Sequence, residues 1–176
     1  LKTYQELRDK GELSIRVTGT YRFSAKTAEQ AEKAIARFGF KPGEGDDWVK
    51  AGPLKITVDG GIHWGTTWLS EPHGPKRAAF YRNKDPGYTG EHYYTPEEMK
   101  MIFGIGNKLG WQMSAHVTGD GGMEAVLDAV AAVAQEQPAL SVKMRGVGVV
   151  GPHPQELRRA IHHVLAAAVE DREARG

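Results

Sequence analysis

The apolar positions of this chain change period repeatedly, from the two-residue repeat of a strand to the three-to-four-residue repeat of a helix. Leu13, Ile15 and Val17 alternate with Ser14, Arg16 and Thr18, which predicts a first strand over 13–23 after a short helix at 4–9 that ends at Gly11. Thr27-Ala28-Glu29-Gln30 has the form of a capping box. Ala28, Ala31, Ile35 and Phe38 follow at helical spacing, so a helix runs to Gly39. Beyond a Pro/Gly/Asp-rich loop at 41–47, Leu54, Ile56 and Val58 alternate with Lys55, Thr57 and Asp59 in a second strand. Thr95-Pro96-Glu97-Glu98 opens a helix carrying Met99, Ile102, Phe103 and Leu109, and Gly110 stops it. Met113, Ala115 and Val117 alternate with Ser114, His116 and Thr118 in a third strand. Gly119-Asp120-Gly121-Gly122 then leads into a helix with Met123, Val126, Leu127, Val130 and Val133. A fourth strand within 140–150 and a helix opened by Pro154, striped by Leu157, Ile161, Val164, Leu165 and Ala168, complete the series.

Four strand-helix units in succession require parallel strands joined by right-handed crossovers, which leaves a doubly wound sheet or part of a barrel. With 176 residues and 40% hydrophobic positions, one domain over 1–176 is expected. The segment 61–95 is longer than a neutral connection and rich in Gly, Pro, His and aromatics, as binding loops and lids are. Twenty-three basic residues against 22 acidic ones give a net charge of +1, which supplies no field for nucleic acid or an anionic membrane. The absence of cysteine excludes disulfides and thiolate metal ligands. No apolar run reaches the length of a membrane span, so a soluble, cytoplasmic protein is expected.

In both candidate folds reactive groups gather at the C-terminal ends of strands. That rule selects Lys55 and Asp59 on the second strand, His116 with Asp120 just beyond the third, and His153 after the fourth. Lys55 shares a face with Thr57 and Asp59. It is either a lysine carboxylated by carbon dioxide, and so an anionic metal ligand, or a lysine paired with Asp59 or another carboxylate. His116 is either a metal ligand or an imidazole bonded to a carbonyl; His153 is either a ligand or a helix-start residue. His63, Trp64, Trp68 and His92 in the long loop either face a substrate or pack the loop down, together with His73 and the tyrosines at 81, 88, 93 and 94. The glycines of 104–110 lie inside a helix with no strand before them, so they form no dinucleotide loop.

The strings LKITVDGG at 54–61, SEPHG at 70–74, DPGYTGEHYYTPEEM at 85–99 and GWQMSAHVTGDGGMEAVLDA at 110–129 resemble, in order and spacing, the YtcJ-like (amidohydrolase family 3) branch of the amidohydrolase superfamily. LRDKGELSIRV at 7–17 extends the resemblance from the N-terminus to about Ala134. The resemblance implies a distorted TIM-type (β/α) barrel, of which this chain would be a half, and a divalent metal, zinc first, whose bound hydroxide attacks a carbon–nitrogen bond. It also implies that Lys55 is the fourth-strand lysine that bridges metals when carboxylated, that His116 is the fifth-strand ligand, and that Asp120 organises its loop. A family member would add a His-x-His pair on its first strand, a His on its sixth and an Asp on its eighth; none is found here, and residues 139–176 diverge from the family. His153 is the candidate replacement for the sixth-strand ligand.

A half barrel has two unpaired edges and a bare inner face, so a homodimer or higher homo-oligomer is expected to close it. The function expected is a metal-dependent hydrolase of a small amide-like substrate with an incomplete site in one chain. The alternatives are a catalytically silent half barrel and a flavodoxin-like binder with helices on both faces of an open sheet.

Overall fold

The computed structural model describes residues 1–137; the fourth strand, the helix at Pro154 and His153 lie outside them. Three strands run in chain order: β1 (Val17–Arg22), β2 (Val49–Thr57) and β3 (Met113–His116). They pair parallel in the order β1-β2-β3. The helices are α1 (Lys2–Asp9), α2 (Ala28–Phe38), α3 (Gly74–Phe80), α4 (Pro96–Lys108) and α5 (Asp120–Glu136).

Local sequence accounts for most boundaries. Thr27 accepts a hydrogen bond from the Gln30 N–H and starts α2, while Gln30 Oε1 reaches back to the Lys26 N–H rather than to Thr27. Gly39 closes that helix at φ 72°, a conformation glycine adopts without a Cβ penalty. Thr95 and Glu98 form a complete capping box at the start of α4, with Pro96 at its first position. The expected first strand proves shorter at its start. Ile15 is 62% exposed and lies outside β1, so alternation there did not signal a buried face.

Each strand adds next to its predecessor, and α4 packs against both α2 and α5, which places these three helices on the same side of the sheet. A doubly wound or flavodoxin-like sheet would reverse direction and carry helices on both faces; among the described residues the three strands run in one direction of addition. This arrangement is compatible with a partial β/α barrel. Its core lies between sheet and helices. Leu54, Ile56 and Val58 are fully buried against Ala31 and Ile35 of α2, Met99, Ile102 and Phe103 of α4, and Val126, Leu127, Val130 and Val133 of α5. Each such side chain contributes roughly 1.5–3 kcal/mol by leaving water. Tyr21 and Phe38 stack with centroids 4.6 Å apart and fasten β1 to α2. In α4, a Cβ on Gly106 would sit 2.1 Å from Met113 Sδ, so the glycine-rich stretch of this helix serves its close approach to β3. Among the described residues no helix is long and apolar enough to cross a membrane.

Candidate functional site

The opposite face of the sheet is not covered by α2, α4 or α5. Register fixes which side chains share it: Arg22 lies beside Lys55, Lys55 beside Ser114, and Thr57 beside His116. Side chains alternate along a strand, so Arg22, Lys55, Thr57, Ser114 and His116 all project from this face. The strand spacing and two residues of rise place Lys55 and His116 about 8 Å apart at Cα, diagonal neighbours whose side chains can converge. Lys55 and His116 are half-buried. Neither side chain enters an ion pair or a side-chain hydrogen bond among the described residues.

Asp59 is not the partner of Lys55. It is 2% exposed and accepts hydrogen bonds from the backbone N–H groups of Trp68 (3.2 Å), Thr118 (2.9 Å) and Gly119 (2.8 Å), with the Thr118 hydroxyl at 3.0 Å. The pairing expected between Lys55 and Asp59 therefore fails, because three loop amides occupy the carboxylate. Asp59 instead ties the end of β2 to the loop after β3 and to the long loop. Gly119 is required at that junction: a Cβ there would lie 1.7 Å from the Trp68 carbonyl oxygen.

Asp120 takes the Ser70 N–H at 3.1 Å and the Ser70 hydroxyl at 2.7 Å, so the start of α5 holds the long loop from its other side. The loop then returns along β2, where the Tyr93 N–H donates to the Val58 carbonyl and His92 bridges to Asp59. The His92 ring stacks on the Trp68 indole at 3.8 Å and its Nε2 lies 3.1 Å from Thr89 Oγ1. Loss of water against the indole holds the His92 imidazole below its usual pKa, partly offset by Glu91 and Asp59. His63 and Trp64 sit on a short 3-10 turn at Ile62–Trp64 where Trp64 is 79% exposed. Of the four loop residues singled out, the structure joins Trp68 to His92 and leaves His63 and Trp64 at the surface.

Sequence reading passed over Lys26, which closes the other side of the loop. Its ammonium donates to Glu98 at 2.7 Å and to the Tyr93 carbonyl, and lies 4.7 Å from the centre of the Tyr94 ring. The Lys26 bond is the main reason that Glu98 is held below the usual carboxylate range, with the Thr95 amide second. The signal available in sequence was only a lysine just after a strand, with partners 67 and 72 residues away.

The donor set on the open face is an imidazole and a lysine. A lysine binds a cation only after carboxylation, and among the described residues no three His, Cys, Asp or Glu side chains converge as a metal site would need. Among the described residues this face therefore offers at most two donors, His116 and a carboxylated Lys55, fewer than a metal centre needs.

The model of the amidohydrolase family matches residues 1–172. The chain belongs to the amidohydrolase family. No curated protein matches it. Among solved structures, this amidohydrolase-family chain is similar to an uncharacterized metal-dependent hydrolase from Pyrococcus furiosus, with 23% identity and a TM-score of 0.55 over 75% of this chain and 25% of that one. A second, from Pyrococcus horikoshii OT3, gives 23% identity and a TM-score of 0.53 over 78% and 24%. The amidohydrolase-family chain thus spans about a quarter of each structure it matches, and the likeness is one of fold. The family match extends past Ala134, where the motif-level resemblance ends.

Proposed function

We propose that the chain supplies part of the active site of a metal-dependent hydrolase that cleaves an amide-like carbon–nitrogen bond in a small molecule. One observation carries the reading: in a member of the amidohydrolase family, Lys55 and His116 project from the same open sheet face at the C-terminal ends of adjacent parallel strands. Carboxylated Lys55 and the neutral imidazole of His116 would hold a divalent metal, zinc first, which when bound activates water and polarises the scissile carbonyl. His153, outside the described residues, is the proposed further ligand within this chain. Asp59 and Asp120 act as positioning residues that fix the loops around the strand ends. Trp68, His92, Tyr93 and Tyr94 wall the approach and exclude water from one side of it.

Metal content of the full chain, purified and equilibrated with zinc, tests this directly. Bound zinc in the parent protein, at least tenfold weaker in His116→Ala and Lys55→Ala with unchanged circular dichroism, is the expected result. A folded parent protein that takes up no zinc would instead support the second reading, a catalytically silent half barrel. That reading is favoured by the lack of a three-ligand cluster among the described residues. Under either reading the exposed inner face calls for cover, and we propose self-association as its source. Sedimentation of the full chain is expected to show a dimer or larger species, and a monomer at micromolar concentration would remove this part of the proposal.

A further inference from the structure

Among the described residues, Arg22 at the edge of the open face has no acidic side chain that answers its charge. Arg22, the last residue of β1, is the register partner of Lys55, so a guanidinium and a lysine side chain lie on strands roughly 5 Å apart. While Lys55 is uncarboxylated the two are like charges and repel across the strand pair; once carboxylated, Lys55 is committed to the metal. Arg22 is exposed and takes part in no ion pair or side-chain hydrogen bond among the described residues. Two carboxylates of the adjoining segments are committed elsewhere, Asp59 to three backbone N–H groups and Glu98 to Lys26.

Arg22 also lines a cavity of about 690 Å³ together with Ser24, Lys26, Thr57, Tyr93 and Tyr94. That volume lies within the roughly 300–1,000 Å³ of small-molecule sites. Thr57 connects the cavity to the face that bears Lys55 and His116, since it is the register partner of His116. The Lys26 ammonium is already held by Glu98, the Tyr93 carbonyl and the Tyr94 ring. Of the two cations at the cavity, Arg22 is therefore the one with its donors available, and a guanidinium fork matches a carboxylate with two parallel hydrogen bonds.

We propose that this cavity binds a small ligand bearing a carboxylate and that Arg22 is the residue that recognises it. The inference deepens the hydrolase reading by assigning an anionic class of substrate, but it concerns binding alone and needs neither metal nor turnover. A neutral ligand of the same shape would leave the donors of Arg22 without an anionic partner, so specificity comes from charge as well as shape.

Benzoate and benzamide are the probes, matched in size and differing in charge. They are titrated into the full chain by NMR in carbon-dioxide-depleted buffer, so that Lys55 remains an amine. Benzoate is expected to bind about tenfold more tightly than benzamide, the range of a charge-assisted hydrogen-bonded pair at a partly exposed site. Arg22→Gln is expected to erase that difference while leaving benzamide binding and the circular dichroism unchanged, and Arg22→Lys to restore only part of it. Equal affinities in the parent protein, no benzoate binding, or a preference that survives in Arg22→Gln would each overturn the proposal. None of these outcomes touches the zinc measurement on Lys55 and His116, so the two readings fail separately.

Discussion

Replacing Asp59 by alanine removes the acceptor shared by three backbone N–H groups, those of Trp68, Thr118 and Gly119. The site is 2% exposed, so water does not replace the lost bonds without opening the junction. Each stranded donor costs about 1–3 kcal/mol, which bounds the total at roughly 3–9 kcal/mol. The lower half of that range is expected, about 3–6 kcal/mol, because the space left by the carboxylate admits water once the loops relax. Against a typical domain stability of about 5–15 kcal/mol this is a large fraction. Asp59→Asn keeps one oxygen acceptor but turns an N–H₂ toward a donor, so it is expected to cost less, about 1–3 kcal/mol. Urea unfolding followed by circular dichroism reads both: for a slope near 2 kcal/mol per molar urea, Asp59→Ala lowers the midpoint by roughly 2 M. A loss below about 1 kcal/mol in Asp59→Ala would refute the reasoning, since it would mean that the three amides find other acceptors at no cost.

Gly119→Ala places a Cβ against the Trp68 carbonyl oxygen, a backbone atom that cannot rotate away, and is expected to destabilise by at least about 3 kcal/mol in the same urea assay. Gly106→Ala meets the flexible end of Met113 instead and is expected to cost only about 1–3 kcal/mol. His92 is expected to titrate below 6.5 by NMR, with Trp68→Ala moving it back up by restoring water to the ring. Since the folded state holds this imidazole neutral, the unfolded chain takes up the proton first. The His92 contribution to stability therefore falls as pH drops from about 6.5 through the lower folded value, and stays constant above 6.5. Lys26→Met removes the donor to Glu98 and Tyr93, and faster amide hydrogen exchange at Tyr94–Met99 is the expected sign that the loop has lost its clasp.

Short-range rules carried much of the fold. Thr95, Pro96 and Glu98 announce a helix wherever they occur together, and Leu54-Ile56-Val58 state a strand with one dry face, because capping and alternation need no knowledge of the rest of the chain. The same alternation misled at Ile15, which has the period of a strand and no neighbour to bury it. Period alone is silent about what lies across the sheet. Lys55 and His116 were legible as site candidates for a related reason: each stands on the polar side of an alternating run, near the strand's C-terminal end.

What each polar side chain meets was not legible. Asp59 and Lys55 are four residues apart on one face, and the sequence permits them to pair; folding instead brings amides from 9, 59 and 60 residues away onto the carboxylate. The clasp of Lys26 on Glu98 and Tyr93, the stack of Trp68 on His92, and the register that sets Arg22 beside Lys55 are likewise products of strand order and loop return. By itself the sequence determined the parallel β/α alternation, the capped helices and the resemblance to amidohydrolases, since these rest on contacts within a few residues or on motif order. Only the tertiary structure decided that α2, α4 and α5 share one side, that these helices leave the opposite face open, and that among the described residues Arg22 there has no carboxylate partner. Those features depend on contacts between distant segments, which neither periodicity nor spacing encodes.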